Sequence, residues 1–392
     1  MSNQKTTLIQ ARIVERFQLY FKLLLPGIVN PTYIKKSAIL LRYTCVLKTM
    51  NVTIKDIAKA AGVSHPTVSR ALNNHPAIAE ATRERIVALA QQMGYVPNAT
   101  ARGLKTSRTR ALGVILRHID DPFWSEVLDG VDSVLHPEGY SLFIASTHNE
   151  KQREKEVVQT MMQRGVDGII LMSPDFREEQ FHILNSYDLP MVMVNNEGAG
   201  ECQYIIFNDD VQGARLITKH VIGLGHTRIA YIGKRVTESN RNRLAGFRAE
   251  MKIAGLPVNE QYIYHVAAGN PVGGKEGAAY LISLDPIPSA IVCYNDFLAV
   301  GVYNYLKENG LRIPQDVSVT GFDNISIAAY LSPPLTTIHQ YKFELGEGAA
   351  RMMLEVLSNR QQKEREPSPS RKVSLKGVLQ IRASTTSFAS QA

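Results

Sequence analysis

With 392 residues, 44% of them hydrophobic and 20% charged, the chain is long enough for two or three domains at about 150 residues each, which excludes a disulfide-stapled mini-protein and a wholly disordered chain. Its net charge of +8 is unevenly spread: residues 1–50 carry eight Lys/Arg against the single acid Glu15, residues 51–110 carry nine against Asp56, Glu80 and Glu84, and the remainder is acidic, with 27 bases against 32 acids. Basic character confined to the first 110 residues points to a nucleic acid or an anionic surface as the partner of that end alone.

Residues 1–50 form an N-terminal extension that is apolar and basic between Leu8 and Lys48. Its longest uncharged run, Leu23 to Ile34, is broken by Pro26 and Pro31 and is too short to span a bilayer, which takes ~20 apolar residues. The segment lacks a clean small-x-small cleavage site, which argues against a signal peptide. Because a well-patterned domain follows Met50 immediately, the expectation is that translation starts there. A basic arm that adds non-specific affinity for DNA or a membrane is the alternative. Cys45, Cys202 and Cys293 are odd in number, far apart and without C-x-x-C spacing, as expected of reduced packing residues in a cytoplasmic protein.

From Thr53 the pattern sharpens. Ile54, Ile57, Ala58 and Ala61 recur at helical spacing, Gly62-Val63 interrupts, and Val68, Ala71 and Leu72 resume the period. Two short helices with a tight turn follow, with Gly62 suited to a positive φ, Ala58 small enough for a close helix crossing, and Ser64 placed to cap the second helix. A third helix from about Glu80 to Met93 buries Ile86, Leu89 and Met93 and stops at Gly94, although Ala79 stands where a capping Ser or Asp would be stronger. These three helices predict a helix-turn-helix head over residues 51–96, followed by a hinge and linker over 97–110.

Thr53-Ile54-Lys55-Asp56-Ile57-Ala58, Ala61-Gly62-Val63-Ser64, Thr67-Val68-Ser69-Arg70, Gly94-Tyr95-Val96-Pro97-Asn98 and Ala101-Arg102-Gly103-Leu104 closely resemble the LacI/GalR family of bacterial transcriptional regulators. The resemblance extends from Val52 to about Ser384. It implies that His65, Pro66 and Arg70 face base edges in the major groove, Arg70 being able to grip guanine O6 and N7. Ser64, Thr67, Ser69 and Asn73 would then hold phosphates, which set register rather than sequence. It further implies that Asn98 to Leu104, too short to be a stable helix alone, folds on operator DNA and wedges Leu104 into the minor groove at a flexible central step.

Beyond Arg110, apolar runs alternate with amphipathic helices. The predicted strands are Ala111–Leu116, Tyr140–Ala145, Gly168–Met172, Met191–Val194, Arg228–Ile232, Tyr262–Val266, Ala290–Val292 and Val317–Thr320; the clearest helices are Lys151–Gln163, Val211–Ile222 and Phe297–Lys307. This rhythm predicts an α/β domain of two parallel-sheet lobes with a ligand cleft beyond the strand C-termini. The resemblance implies a two-lobed, periplasmic-binding-protein-like effector domain, with lobe 1 over 111–209 plus 341–360 and lobe 2 over 210–340 plus 373–385. The polar run from Asn359 to Lys372 is expected to be an exposed connection.

On the same resemblance the effector-binding positions are Phe123, Trp124, Asn196, Arg243, Asn295, Asp296, Asp323 and Gln340. An aromatic face suits a sugar ring or a nucleobase, and an arginine–carboxylate pair suits neighbouring hydroxyls, so the expected effector is a sugar or sugar derivative. Read as residues alone, Phe123 equally fits core packing, Arg243–Asp323 a structural ion pair, and Asn295-Asp296 a helix N-cap. Pro271 falls near a position where several members of the family carry a stacking aromatic.

Gly269 to Lys275 satisfies G-x-x-x-x-G-K, but Glu276 stands where a phosphate loop needs Ser or Thr for magnesium. No H-E-x-x-H, G-x-S-x-G or clustered Cys/His pattern occurs, so no enzyme activity, metal or cofactor is expected. The composite expectation is a homodimeric regulator, acting as a repressor, that binds double-stranded operator DNA and a small effector and makes no membrane contact. The rival reading is an exported sugar-binding transport protein, which has no use for the motifs from Thr53 to Leu104.

Overall fold

Local chemistry sets the boundaries of the first three helices. In the computed structural model, which describes residues 52–95, 108–172, 184, 188–196, 202–361 and 370–388 apart from 149 and 236, helix α1 spans Ile54–Ala61. Thr53 and Asp56 form a reciprocal capping box at its start, with the Thr53 amide donating to Asp56 Oδ2 at 2.8 Å. Gly62 closes the helix at φ 65°, a left-handed conformation in which a Cβ is disfavoured. Helix α2, His65–Leu72, is capped by Ser64 and tolerates Pro66 in its first turn. Helix α3, Glu80–Gln92, starts at Ala79 without a side-chain cap. Ile57, Ala58, Val68, Ala71, Ile86 and Ala90 make the small core on which the three helices close.

The chain divides into two compact units, residues 1–99 and 100–392. The second unit is built on two parallel sheets. Strands β1 (Ala111–Leu116), β2 (Ser141–Ser146), β3 (Gly168–Met172), β4 (Met191–Val194) and β5 (Tyr204–Asn208) belong to the first, interleaved with helices α4 (Pro122–Leu135) and α5 (Lys151–Arg164). The second is formed by β6 (Ile229–Lys234), β7 (Ile263–Val266), β8 (Ala290–Cys293) and β9 (Ser318–Thr320) in the order β7-β6-β8-β9. Helices α6 (Asp210–Gly223), α7 (Glu238–Ile253), α8 (Pro271–Ile282) and α9 (Asp296–Glu308) flank it. Strands such as β1, buried at all six positions, read as continuous apolar runs because a parallel sheet is covered on both faces.

The chain then crosses between lobes three times. It leaves lobe 1 after β5, returns after the short strand β10 (Thr337–His339) as helix α10 (Lys342–Gln361), adds strand β11 (Arg371–Leu375), and crosses again to β12 (Val378–Gln380), which pairs antiparallel with β10. Helix α10 lies along α4 at very short range. A Cβ on Gly130 would collide with the Phe343 carbonyl, and one on Gly346 with that of Val127, so both positions need glycine for the backbones to meet.

Two features differ from the sequence-based expectation. The lobe 2 boundary at 373 does not hold, because Arg371–Leu375 joins the first sheet as its edge, pairing parallel with β5 from Arg371↔Tyr204 to Leu375↔Asn208. Its basic, alternating sequence suits an edge strand, where charges discourage further pairing and Val373 and Leu375 turn inward. Strand β5, Tyr204–Asn208, was not among the predicted runs. Most of the hinge, Leu104 included, and residues 1–50 lie outside the described residues.

Candidate functional site

Two candidate sites emerge, one in each unit. On the head, His65, Pro66, Arg70 and Asn73 are exposed on or just after α2, while Thr67 and Ser69 are half-buried. Arg70 makes no ion pair among the described residues. Ser64 and Thr67 are tied together, their hydroxyls 2.8 Å apart, and the Thr67 amide donates to Ser64 Oγ at 3.3 Å. The Asn73 amide nitrogen donates to the Ser69 carbonyl at 2.7 Å. The helix thus presents a ring, a proline and a guanidinium outward from a framework that satisfies its own caps.

Between the lobes of the second unit lies a cleft of about 980 Å³. Six of the eight sequence-predicted effector positions line it: Phe123, Trp124, Asn196, Arg243, Asn295 and Asp323. Asp121 caps α4 by accepting from the Phe123 amide at 3.1 Å, which delivers both aromatics to the cleft at the helix start. Phe123 and Trp124 pack edge to face, with centroids 4.9 Å apart.

Arg243, on α7, is the best-anchored group in the cleft. Its Nε donates to Asp210 Oδ1 at 2.8 Å, one terminal nitrogen donates to the Tyr294 carbonyl at 2.6 Å and lies 3.3 Å from Asp323 Oδ1, and the guanidinium carbon sits 3.8 Å from the Phe322 ring centroid. Burial alone would lower its pKa, but Asp210 and Asp323 hold it above the ordinary value, so it stays charged. Asp323 follows β9 with φ 110°, and its Oδ1 also accepts from Gln340 Nε2 at 2.5 Å. Its second oxygen has no hydrogen bond among the described residues and is available to a ligand.

Asp296 and Gln340 do not line the cleft. Asn295 is the N-cap of α9, accepting from Leu298 N at 2.8 Å and donating to the Gly269 carbonyl at 3.1 Å. Asp296 therefore begins the helix proper and turns into the lobe, where it accepts from Thr337 Oγ1 at 2.5 Å and from the Ile325 amide at 2.8 Å. It is fully buried, and burial pushes its pKa up to about 7. Gln340, 1% exposed, stands behind Asp323 as its support.

The structure adds residues that the sequence reading missed. Arg117, His148, Lys234, Asn270 and Tyr294 all line the cleft, and each stands at or shortly after the C-terminal end of a strand. That position was the available signal, since ligands in parallel sheets bind beyond the strand C-termini. Burial, with help from the nearby Arg117 charge, pushes the Lys234 ammonium down to about 8. The glycines of Gly269 to Lys275 do not form a phosphate loop. A Cβ on Gly274 would strike the Leu298 carbonyl, so this glycine serves the crossing of α8 and α9, and Lys275 is paired with Glu308 at 2.6 Å. Among the described residues no His/Cys/Asp/Glu cluster could hold a metal, and no helix is long and apolar enough to cross a membrane.

Comparison with known proteins decides the lineage. The profile described as "Bacterial regulatory proteins, lacI family" matches residues 53–98, and that of a "Periplasmic binding protein-like domain" matches residues 218–385. An HTH-type transcriptional repressor PurR from Vibrio parahaemolyticus is 36% identical over 322 residues, covering 80% of this chain and 94% of its own length. The chain belongs to the LacI family of bacterial regulatory proteins. As a LacI-family protein it is a DNA-binding transcriptional repressor with a periplasmic-binding-protein-like second unit. A PurR from Haemophilus influenzae is 34% identical over 309 residues, covering 79% of this chain and 92% of its own. The Lac repressor dimer bound to operator and the anti-inducer ONPF shares the fold, with a TM-score of 0.76 at 24% identity over 86% of this chain and 99% of that one. A LacI-family regulator from Enterococcus faecium with bound ribose superposes at a TM-score of 0.63, with 27% identity over 71% of this chain and 100% of that one.

Proposed function

We propose that this LacI-family repressor acts in the cytoplasm as a homodimer that reads a pseudo-palindromic operator and changes its operator affinity when a small polar effector enters the interlobe cleft. Two heads related by a two-fold axis read two half-sites. His65, Pro66 and Arg70 contact base edges, Ser64, Thr67, Ser69 and Asn73 hold the phosphate backbone, and Leu104 wedges the central step. Edge strand β2 supports dimerisation through the first lobe, since Phe143 and Ile144 are 39% and 44% exposed there.

The observation that carries the effector reading is the cleft itself, where the aromatic pair Phe123–Trp124 and the anchored Arg243–Asp323 pair line one cavity. A flat or ring-shaped polar molecule suits such walls, held by Asp323 and by Asn196 at its edge. A sugar or sugar derivative is the first candidate, in keeping with the ribose-bound relative. The PurR relatives favour a purine as a second reading.

The test is selection of bound sequences from a random duplex pool by the protein at ~150 mM salt, where non-specific attraction is screened. Enrichment of one palindrome is expected, and no enrichment with or without ligands overturns the reading. Trp124 is the sole tryptophan of the chain and lies in the cleft, so its fluorescence reports titrations with ribose, cellobiose, hypoxanthine and guanine directly. A ligand that alters Trp124 emission is expected also to change operator affinity.

A further inference from the structure

The first residue of α10, Lys342, is 1% exposed, yet it is not packed among apolar groups alone. Its ammonium donates to the Asp323 carbonyl at 2.8 Å and the Asn324 carbonyl at 3.1 Å, lies 3.5 Å from the Gln340 carbonyl, and is 3.3 Å from Glu126 Oε2. Burying an ammonium is costly, and a methionine would fill similar volume without that cost, so packing does not explain a lysine here. What the ammonium alone supplies is three protons pointing in different directions.

Those directions matter because the acceptors belong to different lobes. Asp323 and Asn324 follow β9 in lobe 2, and both have positive φ, 110° and 51°, a conformation that persists in non-glycine residues only when neighbours hold it. Glu126 lies on α4 of lobe 1, one turn beyond Phe123, and α4 in turn meets α10 at the glycine crossings described above. A single side chain thus joins the backbone of the cleft carboxylate to the helix that carries the cleft aromatics.

We propose that Lys342 is a positioning residue that couples Asp323 in the second lobe to helix α4 in the first, through its contacts with the Asp323–Asn324 carbonyls and with Glu126. This rests on the reading of the cleft as the effector site. A ligand that draws on the Asp323 carboxylate loads the same backbone that Lys342 holds, and the load passes to α4 and α10. Any displacement at Asp323 is thereby converted into a rearrangement of the first lobe.

Amide hydrogen exchange on the full chain, without effector or DNA, tests the tie. Glu126 is 44% exposed at its side chain, so Glu126→Gln leaves the fold intact while removing the charge from the lobe 1 end of the contact. The expected result is exchange about tenfold faster at residues 323–325, in the opposite lobe, as well as at the start of α4. Lys342→Met is expected to accelerate both segments together while the central strands β6 and β8 keep their protection. Unchanged exchange at 323–325 in Glu126→Gln overturns the proposal, and so does a uniform loss of protection across lobe 2 in Lys342→Met. If Lys342→Met does not fold, Glu126→Gln decides alone. Since neither measurement uses a ligand, an operator that is bound but answers to no effector would defeat the cleft reading and leave this result standing.

Discussion

The recognition helix and the interlobe cleft carry their chemistry in opposite ways. On α2 the candidate DNA-contacting residues lie within ten consecutive positions, Ser64 to Asn73, and those facing outward, His65, Pro66 and Arg70, are exposed. In the cleft, Arg243 is tied at once to Asp210, Tyr294 and Asp323, which are brought together from three separate segments. A local site of the first kind can change specificity one residue at a time. A networked site of the second kind cannot lose its central arginine without leaving buried carboxylates unpaired.

The largest expected effect follows from that contrast. Arg243→Ala would leave Asp210 and Asp323 buried without their cation, at a cost of about 3–5 kcal/mol in stability. Urea denaturation measures it, and a loss below roughly 1 kcal/mol would show that the network relaxes as freely as a surface pair. Because the damage is to the fold as well as to the site, ligand titration of this variant is interpretable only alongside its melting curve.

The next effect separates the two neighbouring acids of lobe 2. Asp296 is withdrawn from the cleft, and burial raises its pKa to about 7. A carboxyl with a folded-state pKa above its unfolded value of ~3.9 stabilises the fold most when protonated, so its contribution is present below about pH 4 and is lost as pH rises through 7. Between pH 5 and pH 8 the loss amounts to about 2.5 kcal/mol, which Asp296→Asn is expected to remove, with its oxygen placed to accept from the Ile325 amide and its amide nitrogen placed to donate to Thr337 Oγ1. Equal pH slopes for the two proteins in urea titrations would rule Asp296 out as the source.

How far the sequence could be read follows the same division. Helices α1 to α3 were legible because their signals are local: Gly62 at a turn, Ser64 at a cap, and apolar residues at helical spacing. Strands β1 and β3 matched their predicted ends because parallel strands buried on both faces read as unbroken apolar runs. Strand β11 was hidden because its pairing with β5 reaches across the sequence and its composition is that of an exposed edge. Asp296 was misplaced for a related reason. Which of two adjacent residues faces a cleft depends on the rotation of α9, and that is set by Asn295 reaching the Gly269 carbonyl, a contact no local pattern encodes.

On the head the expected effects are smaller and cleaner. Arg70→Ala should cost about 1–3 kcal/mol of discrimination at one base pair of each half-site while leaving the melting temperature unchanged, since Arg70 is exposed. Leu104→Ala should weaken specific binding and spare non-specific binding. Filter or gel-shift titrations against operator and scrambled duplexes check both, and equal losses on the two duplexes would remove Leu104 as a wedge.

The smallest effect should be a gain. Ala79 stands at the N-cap of α3 with no side-chain hydrogen bond, so the first-turn amides of that helix lack the acceptor that Thr53 and Ser64 supply to α1 and α2. Its backbone, at φ −58° and ψ 141°, already has the extended conformation of a capping residue. Ala79→Ser should therefore stabilise the head by about 0.5–1 kcal/mol without touching the reading surface on α2. Thermal unfolding of the full chain, followed through exchange of the α3 amides, measures the gain. No change would mean that the side chain of Arg83, which already pairs with Glu80 and donates to the Ile78 carbonyl, holds the start of the helix as firmly as a cap would.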